Sequence, residues 1–183
     1  GQDPLSVELT NDSAETPPPV IKYHLLALSD SVRKQLNTQL PDSLLTLVCA
    51  LNRIDPDRLH RADTLLIPDS IYLDLKAYSA FPDHFQFADS IPKLILVSYY
   101  LQAFSLYTNG QLERWGPVSM GSKKTKTPVG KFHTNWKSKR QISTDNSDWI
   151  LPWYFNLINA TGVSFHQFEL PGFPASHSCI RLR

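Results

Sequence analysis

A change of apolar period near residue 91 limits the folds open to this 183-residue chain. Before it, "VIKYHLLALSDSVRKQLN" and "PDSLLTLVCALN" space apolar residues by three and four, which predicts two helices. After it, "KLILVSYYLQAFSLY" and "QLERWGPVSMG" flank "TNG", whose Asn109 and Gly110 tolerate positive φ, so a hairpin is expected. "GKFHTNW" and "WYFNLINATGVSFHQF" predict further strands, with a long basic, serine-rich loop around "WKSKRQISTDNSDWILP". The expected fold class is therefore α+β: a mainly antiparallel β domain over residues 91–183, preceded by a small helical segment over 21–75 and a bridge over 76–90. Within the helical part, Asp55 and Pro56 predict the N-cap and first turn of a short helix, and "TLLIP" a strand. Residues 1–20 are polar, end in "TPPPV", and read as an extended leader or linker.

Charge excludes one broad class. Eighteen basic against seventeen acidic residues leave a net charge of +1, too balanced for a dedicated nucleic-acid binder. No apolar run is long enough to span a membrane as a helix, and the N-terminus lacks the basic start and apolar stretch of a secretion signal. The two cysteines lie far apart in different contexts, so no disulfide is expected, and Cys49 in "LLTLVCALN" reads as a small core residue. "GSKKTKTPVGK" is not a phosphate loop, because eight residues separate Gly121 from Gly130 and no Ser or Thr follows Lys131. It reads as a solvated loop in which Lys123, Lys124 and Lys126 attract a carboxylate-bearing substrate.

The chemistry concentrates at the end of the chain, in "GVSFHQFELPGFPASHSCIRLR". His166, His177 and Cys179 are all zinc-competent, but they lack the paired spacing of zinc sites, so no metal is expected. His24, His60 and His84 have no reactive neighbours, and His133 reads as a packing residue. A thiol becomes a good nucleophile only when ionised, and a nearby imidazole or backbone N–H groups promote that. If "SHSCI" is extended, His177 and Cys179 share a face, and a partner strand "GVSFHQF" brings His166 opposite. One histidine then acts as base toward the thiol, and the N–H groups of Ser178 and Cys179 hold a developing oxyanion. The competing reading is a structural cysteine beside surface histidines.

The run "HQFELPGFPASHSCIRL" resembles the signature of the L,D-transpeptidases, the YkuD-like enzymes of the bacterial cell envelope: a histidine, a "PGxPAS" turn, then "SHGC[IV]R[LM]". Upstream, "GPVSMGSKKTKTPVGKFHT" resembles the family's "PVSTG...TPxGxF" stretch, so the likeness runs from about Ile91 to Arg183. It implies a β-sandwich catalytic domain in which Cys179 is the acylated nucleophile and His166, rather than His177, the general base. Ser176, His177 and Arg181 would shape the pocket, orient the catalytic pair and help bind the donor, with Ser178 beside them. The implied reaction is attack on the amide after meso-diaminopimelate in a peptidoglycan tetrapeptide stem, release of D-Ala, and transfer to an amine, giving a 3-3 crosslink or a tethered protein. No cofactor is implied. Expected partners are peptidoglycan stem peptides and carbapenem-type inhibitors, and an exported, monomeric protein of the periplasm or cell envelope is expected.

Residues 40–68, with "LNRIDPDRLHRADTLLIP", resemble a degenerate LysM repeat, in which two short helices pack on a small sheet; a small helical cap is the alternative. Two departures from the catalytic family stand out. Ser178 replaces the glycine before the cysteine, which strains the turn if that position needs positive φ. The chain ends four residues past Cys179, so the site is expected to be more open, or a C-terminal piece is missing from this sequence. Hydrolysis of stems in place of transfer, and a non-catalytic peptidoglycan-binding module, are the competing functions.

Overall fold

The structure is a computed structural model that describes residues 8–10, 20–72 and 74–183. The chain is α+β, with mostly antiparallel sheets and few helices. It divides into two compact units: Gly1–Asn52, Pro56–Leu96 and Phe104–Gly116 form the first, and Arg53–Asp55, Val97–Ala103 and Pro117–Arg183 the second. Of the expected leader, residues 1–7 and 11–19 lie outside the described residues.

In the first unit, strand β1 (Glu8–Thr10) comes first, followed by β2 (Tyr23–Ala27), helices α1 (Asp30–Gln39) and α2 (Asp42–Asn52), and strands β3 (Thr64–Pro68) and β4 (Ser70–Tyr72). β1 runs parallel to β4, and β2 runs antiparallel to β3, Tyr23 opposite Pro68 and Ala27 opposite Thr64. The helix expected from residue 21 therefore begins only at Asp30. Ser29 caps it, its Oγ accepting from the Val32 N–H at 3.4 Å. "YHLLA" has no strong helix stop of its own, and the ladder offered by β3 decides its state; tertiary context overrides a helical pattern this short.

α2 matches expectation. Leu44, Leu47, Val48 and Leu51 recur at three and four and are buried, as is Cys49, which is free of any disulfide. Asn52 ends the helix by donating to Val48 O at 2.8 Å and Leu66 O at 2.9 Å while accepting from the Leu66 N–H at 2.8 Å, which fastens α2 to β3. Leu47 and Leu51 pack on Tyr78, with Ile21, Tyr72 and Trp115 around them. A three-stranded sheet in the order β5 (Leu94–Ser98), β6 (Ala103–Thr108), β7 (Gln111–Pro117) follows. Its β6–β7 hairpin turns on Asn109 and Gly110, at φ 45° and 79°, the pair of positive values a two-residue hairpin of this twist requires.

The second unit carries a four-stranded sheet in the order β11-β10-β9-β8, made from β8 (Lys137–Ile142), β9 (Ile150–Ile158), β10 (Val163–Gln167) and β11 (Ile180–Leu182). β8, β9 and β10 are antiparallel neighbours, whereas β10 and β11 are parallel. Two expectations fail here. "GKFHTNW" forms no strand, and "KSKRQI", expected within a loop, is β8. β8 lies at the sheet edge, where Lys and Arg discourage pairing with other chains, so its composition reads as loop. The approach to it is pinned instead by Asn135, whose N–H donates to Asn156 O at 2.9 Å and whose Nδ2 donates to Asn156 Oδ1 at 3.0 Å. Asp55, expected as a helix cap, accepts from the Leu170 N–H at 2.7 Å in this unit.

Candidate active site

The parallel pairing of β10 and β11 sets the site. Phe165 lies opposite Ile180 and His166 opposite Arg181, so His166 and Arg181 occupy one face of the sheet. Just before β11 begins, the Ser164 hydroxyl meets the Cys179 sulfur at 3.4 Å. By the two-residue strand period Ser164 and His166 share a face of β10, and the sulfur contact sets Cys179 beside Ser164. His166, His177, Cys179 and Arg181 line a single open cavity, walled further by Trp149, Leu151 and Phe168.

The Cys179 turn is not extended, contrary to the reading that placed His177 and Cys179 on one strand face. Residues 177–179 bend, with Ser178 at φ 87°, in the left-handed region where a side chain is strained. The lysine loop holds this bend. Ser176 O accepts from the Ser122 N–H at 2.9 Å and from Thr125 Oγ1 at 3.0 Å, while Ser178 Oγ donates to Thr125 O at 3.2 Å. Ser176 is buried, and its hydroxyl donates to the Cys179 carbonyl. Both serines thus use their hydroxyls on the fold of the turn. Lys123, Lys124 and Lys126 stay exposed. The backbone N–H groups of Ser178 and Cys179 donate to no backbone carbonyl among the described residues.

His166 is 4% exposed. Its Nδ1 sits 3.1 Å from the Gln167 carbonyl, which can only accept, so Nδ1 carries the proton and Nε2 is the basic nitrogen. Burial holds the imidazole below its ordinary value, the Gln167 carbonyl opposes that, and the Arg181 guanidinium adds to the lowering. Phe168 bridges these two groups: its ring meets His166 edge-on at 5.9 Å, and the Arg181 guanidinium lies 4.6 Å from its centroid. His177 is exposed and packs on Trp149 at 5.1 Å. The sulfur itself is engaged by Ser164 and, at 3.8 Å, by the Gly162 carbonyl. Among the described residues no three His, Cys, Asp or Glu side chains gather as a metal site, and no helix is long and apolar enough to cross a membrane.

A protein-family model for the L,D-transpeptidase catalytic domain, YkuD, matches residues 92–183, half of the chain. The chain belongs to the YkuD family. No curated protein matches it. Among solved structures it is similar to an L,D-transpeptidase from Stackebrandtia nassauensis, at 22% identity and a TM-score of 0.48, over 58% of this chain and 51% of that one. It is also similar to an L,D-transpeptidase from Mycobacterium tuberculosis H37Rv, at 22% identity and a TM-score of 0.44, over 50% of this chain and 48% of that one. A third is L,D-transpeptidase 3 from Mycobacterium tuberculosis in complex with a faropenem-derived adduct, at 20% identity and a TM-score of 0.42, over 50% of this chain and 51% of that one. The chain spans about half the length of these structures.

For this YkuD chain, every site residue named from the sequence lies at or beside one cavity: Cys179, His166, His177, Arg181 and Ser176 line it, and Ser178 forms the bend between two of them. Sequence reasoning missed Ser164, the Gly162 carbonyl, Phe168 and Trp149. Ser164 had a signal, since it stands two residues before His166 in a strand. The other three did not, because their contacts depend on the turn after β9 and the path of the chain past β8.

Proposed function

We propose that the chain is a cysteine acyltransferase acting on peptidoglycan tetrapeptide stems. The observation that carries the reading is one cavity: a buried histidine on β10 with a basic Nε2 and Cys179, just before β11, line it together. The Cys179 thiolate attacks the amide carbonyl after meso-diaminopimelate, while the N–H groups of Ser178 and Cys179 receive the charge on oxygen. His166 takes the thiol proton at Nε2 and returns it to the departing D-Ala nitrogen as the C–N bond breaks, leaving a thioester. An amine acceptor then displaces the sulfur, giving a 3-3 crosslink or a tethered protein. Arg181, held over Phe168, binds the donor's carboxylate, and His177 on Trp149 shapes the entrance. The chemistry needs no cofactor, and the protein works as a monomer in the periplasm or cell envelope. The β2-α1-α2-β3 segment, two helices between two adjacent antiparallel strands, docks the enzyme on glycan in the manner of a LysM repeat.

Mass spectrometry of the intact chain tests this. Incubation with a carbapenem or a tetrapeptide donor should add one acyl group at Cys179, and Cys179→Ala should carry none. An unmodified Cys179 under both treatments would remove the enzymatic reading. Muropeptide product analysis then separates transfer from hydrolysis.

A further inference from the structure

Ser164 stands apart from the residues used above. It is fully buried, at 0% exposure, and its hydroxyl meets one described partner, the Cys179 sulfur at 3.4 Å. A buried hydroxyl is costly unless hydrogen-bonded, so this contact occupies the position firmly. The same sulfur approaches the Gly162 carbonyl at 3.8 Å. A carbonyl can only accept, so the thiol hydrogen points to Gly162 O and leaves a sulfur lone pair to receive the Ser164 O–H.

Ionisation changes the two contacts in opposite directions. Once the proton has gone to His166, the Gly162 carbonyl keeps only its hydrogen bond from the Tyr154 hydroxyl at 2.7 Å and repels the negative sulfur. The Ser164 O–H, already aimed at it, becomes a charge-assisted donor, about twice as strong as its neutral counterpart. We propose that Ser164 is a positioning residue for the nucleophile: its hydroxyl holds the Cys179 sulfur on the His166 face of the sheet and favours the thiolate over the thiol. The proposal rests on Cys179 being the nucleophile. Its geometric basis is the strand period, which sets Ser164 and His166 on one face of β10, and the 3.4 Å contact, which sets the Cys179 sulfur beside Ser164 just before β11 begins. The other charged or titratable groups facing the sulfur's cavity are His166, His177, Arg181 and Asp145.

The test is alkylation of the full chain by iodoacetamide across the pH range, with peptide mapping to separate Cys179 from the buried Cys49. In Ser164→Ala, the pH of half-maximal rate should rise by about one unit, the scale of one charge-assisted hydrogen bond. The plateau rate at high pH should rise about threefold, because a more basic thiolate is the better nucleophile. A merely structural loss would give no such pairing of a later midpoint with a faster plateau. Ser164→Thr, which restores the hydroxyl, should bring the midpoint back. An unmoved midpoint in Ser164→Ala would overturn the proposal, as would a Ser164→Thr chain that melts like wild type and keeps the Ala profile. Failure of the acyl-transfer reading looks different: wild-type Cys179 would take no carbapenem while the alkylation profile still responded to position 164.

Discussion

Replacing Ser178 by glycine sets two opposing energies against each other at the bend that presents Cys179. Ser178 sits at φ 87°, and a non-glycine residue held there costs on the order of 1–2 kcal/mol. Glycine removes that strain but adds freedom to the unfolded chain, at about 0.5–1 kcal/mol. It also deletes the Ser178 Oγ bond to Thr125 O at 3.2 Å, worth about 0.5–1 kcal/mol in a half-buried setting. The terms nearly cancel, so Ser178→Gly should unfold in urea within about 1 kcal/mol of wild type. Ser178→Ala keeps the strain and loses the bond without compensation, and should fall below wild type by about 0.5–1 kcal/mol. Ser178→Val adds a β-branched side chain at positive φ and should be the least stable of the set. The order wild type or Gly, then Ala, then Val is the signature. An alanine variant more stable than both serine and glycine would refute the reasoning, because it would mean that the backbone there carries no strain and that the Thr125 bond contributes nothing.

The other expectations follow from single groups. Burial lowers His166, so the unfolded chain binds the extra proton first: stability is complete above about pH 6.5, His's ordinary value, and is lost as pH falls through the lower folded value. The acid limb of kcat/KM should accordingly lie below that value, and Arg181→Gln, which removes a neighbouring cation, should move the limb upward; a limb shifted downward would contradict the placement. At Gly121, a Cβ would lie 2.1 Å from the Thr125 carbonyl oxygen, so Gly121→Ala must displace the loop that holds Ser176. A loss of about 1–3 kcal/mol in urea unfolding, with slower acylation of Cys179, is expected.

What the sequence made legible depended on whether the deciding contact was local. The Asn109–Gly110 hairpin and the α2 core face are set by residues within a few positions of one another, and the reading of both agrees with the structure. β2 and β8 went unread because each exists through a distant partner: β3 makes a strand of "YHLLA", and β9 makes one of the basic stretch Lys137–Ile142. The site shows the same division. The "SHSC" run and His166 were visible as chemistry, yet the device that joins them is a parallel pairing across the Phe168–Cys179 connection, and periodicity carries no signal for the direction of pairing. The assumption that His177 and Cys179 share a strand face failed at Ser178, where the chain bends out of the extended state. That bend has a chemical consequence. A straight strand would alternate its N–H groups between opposite edges, whereas a residue at positive φ can turn consecutive N–H groups toward one point, the arrangement by which backbone concavities hold anions. On the acyl-transfer proposal, the strain at position 178 and the holding of an oxyanion beside Cys179 therefore share one origin, the positive φ of a serine tied to Thr125.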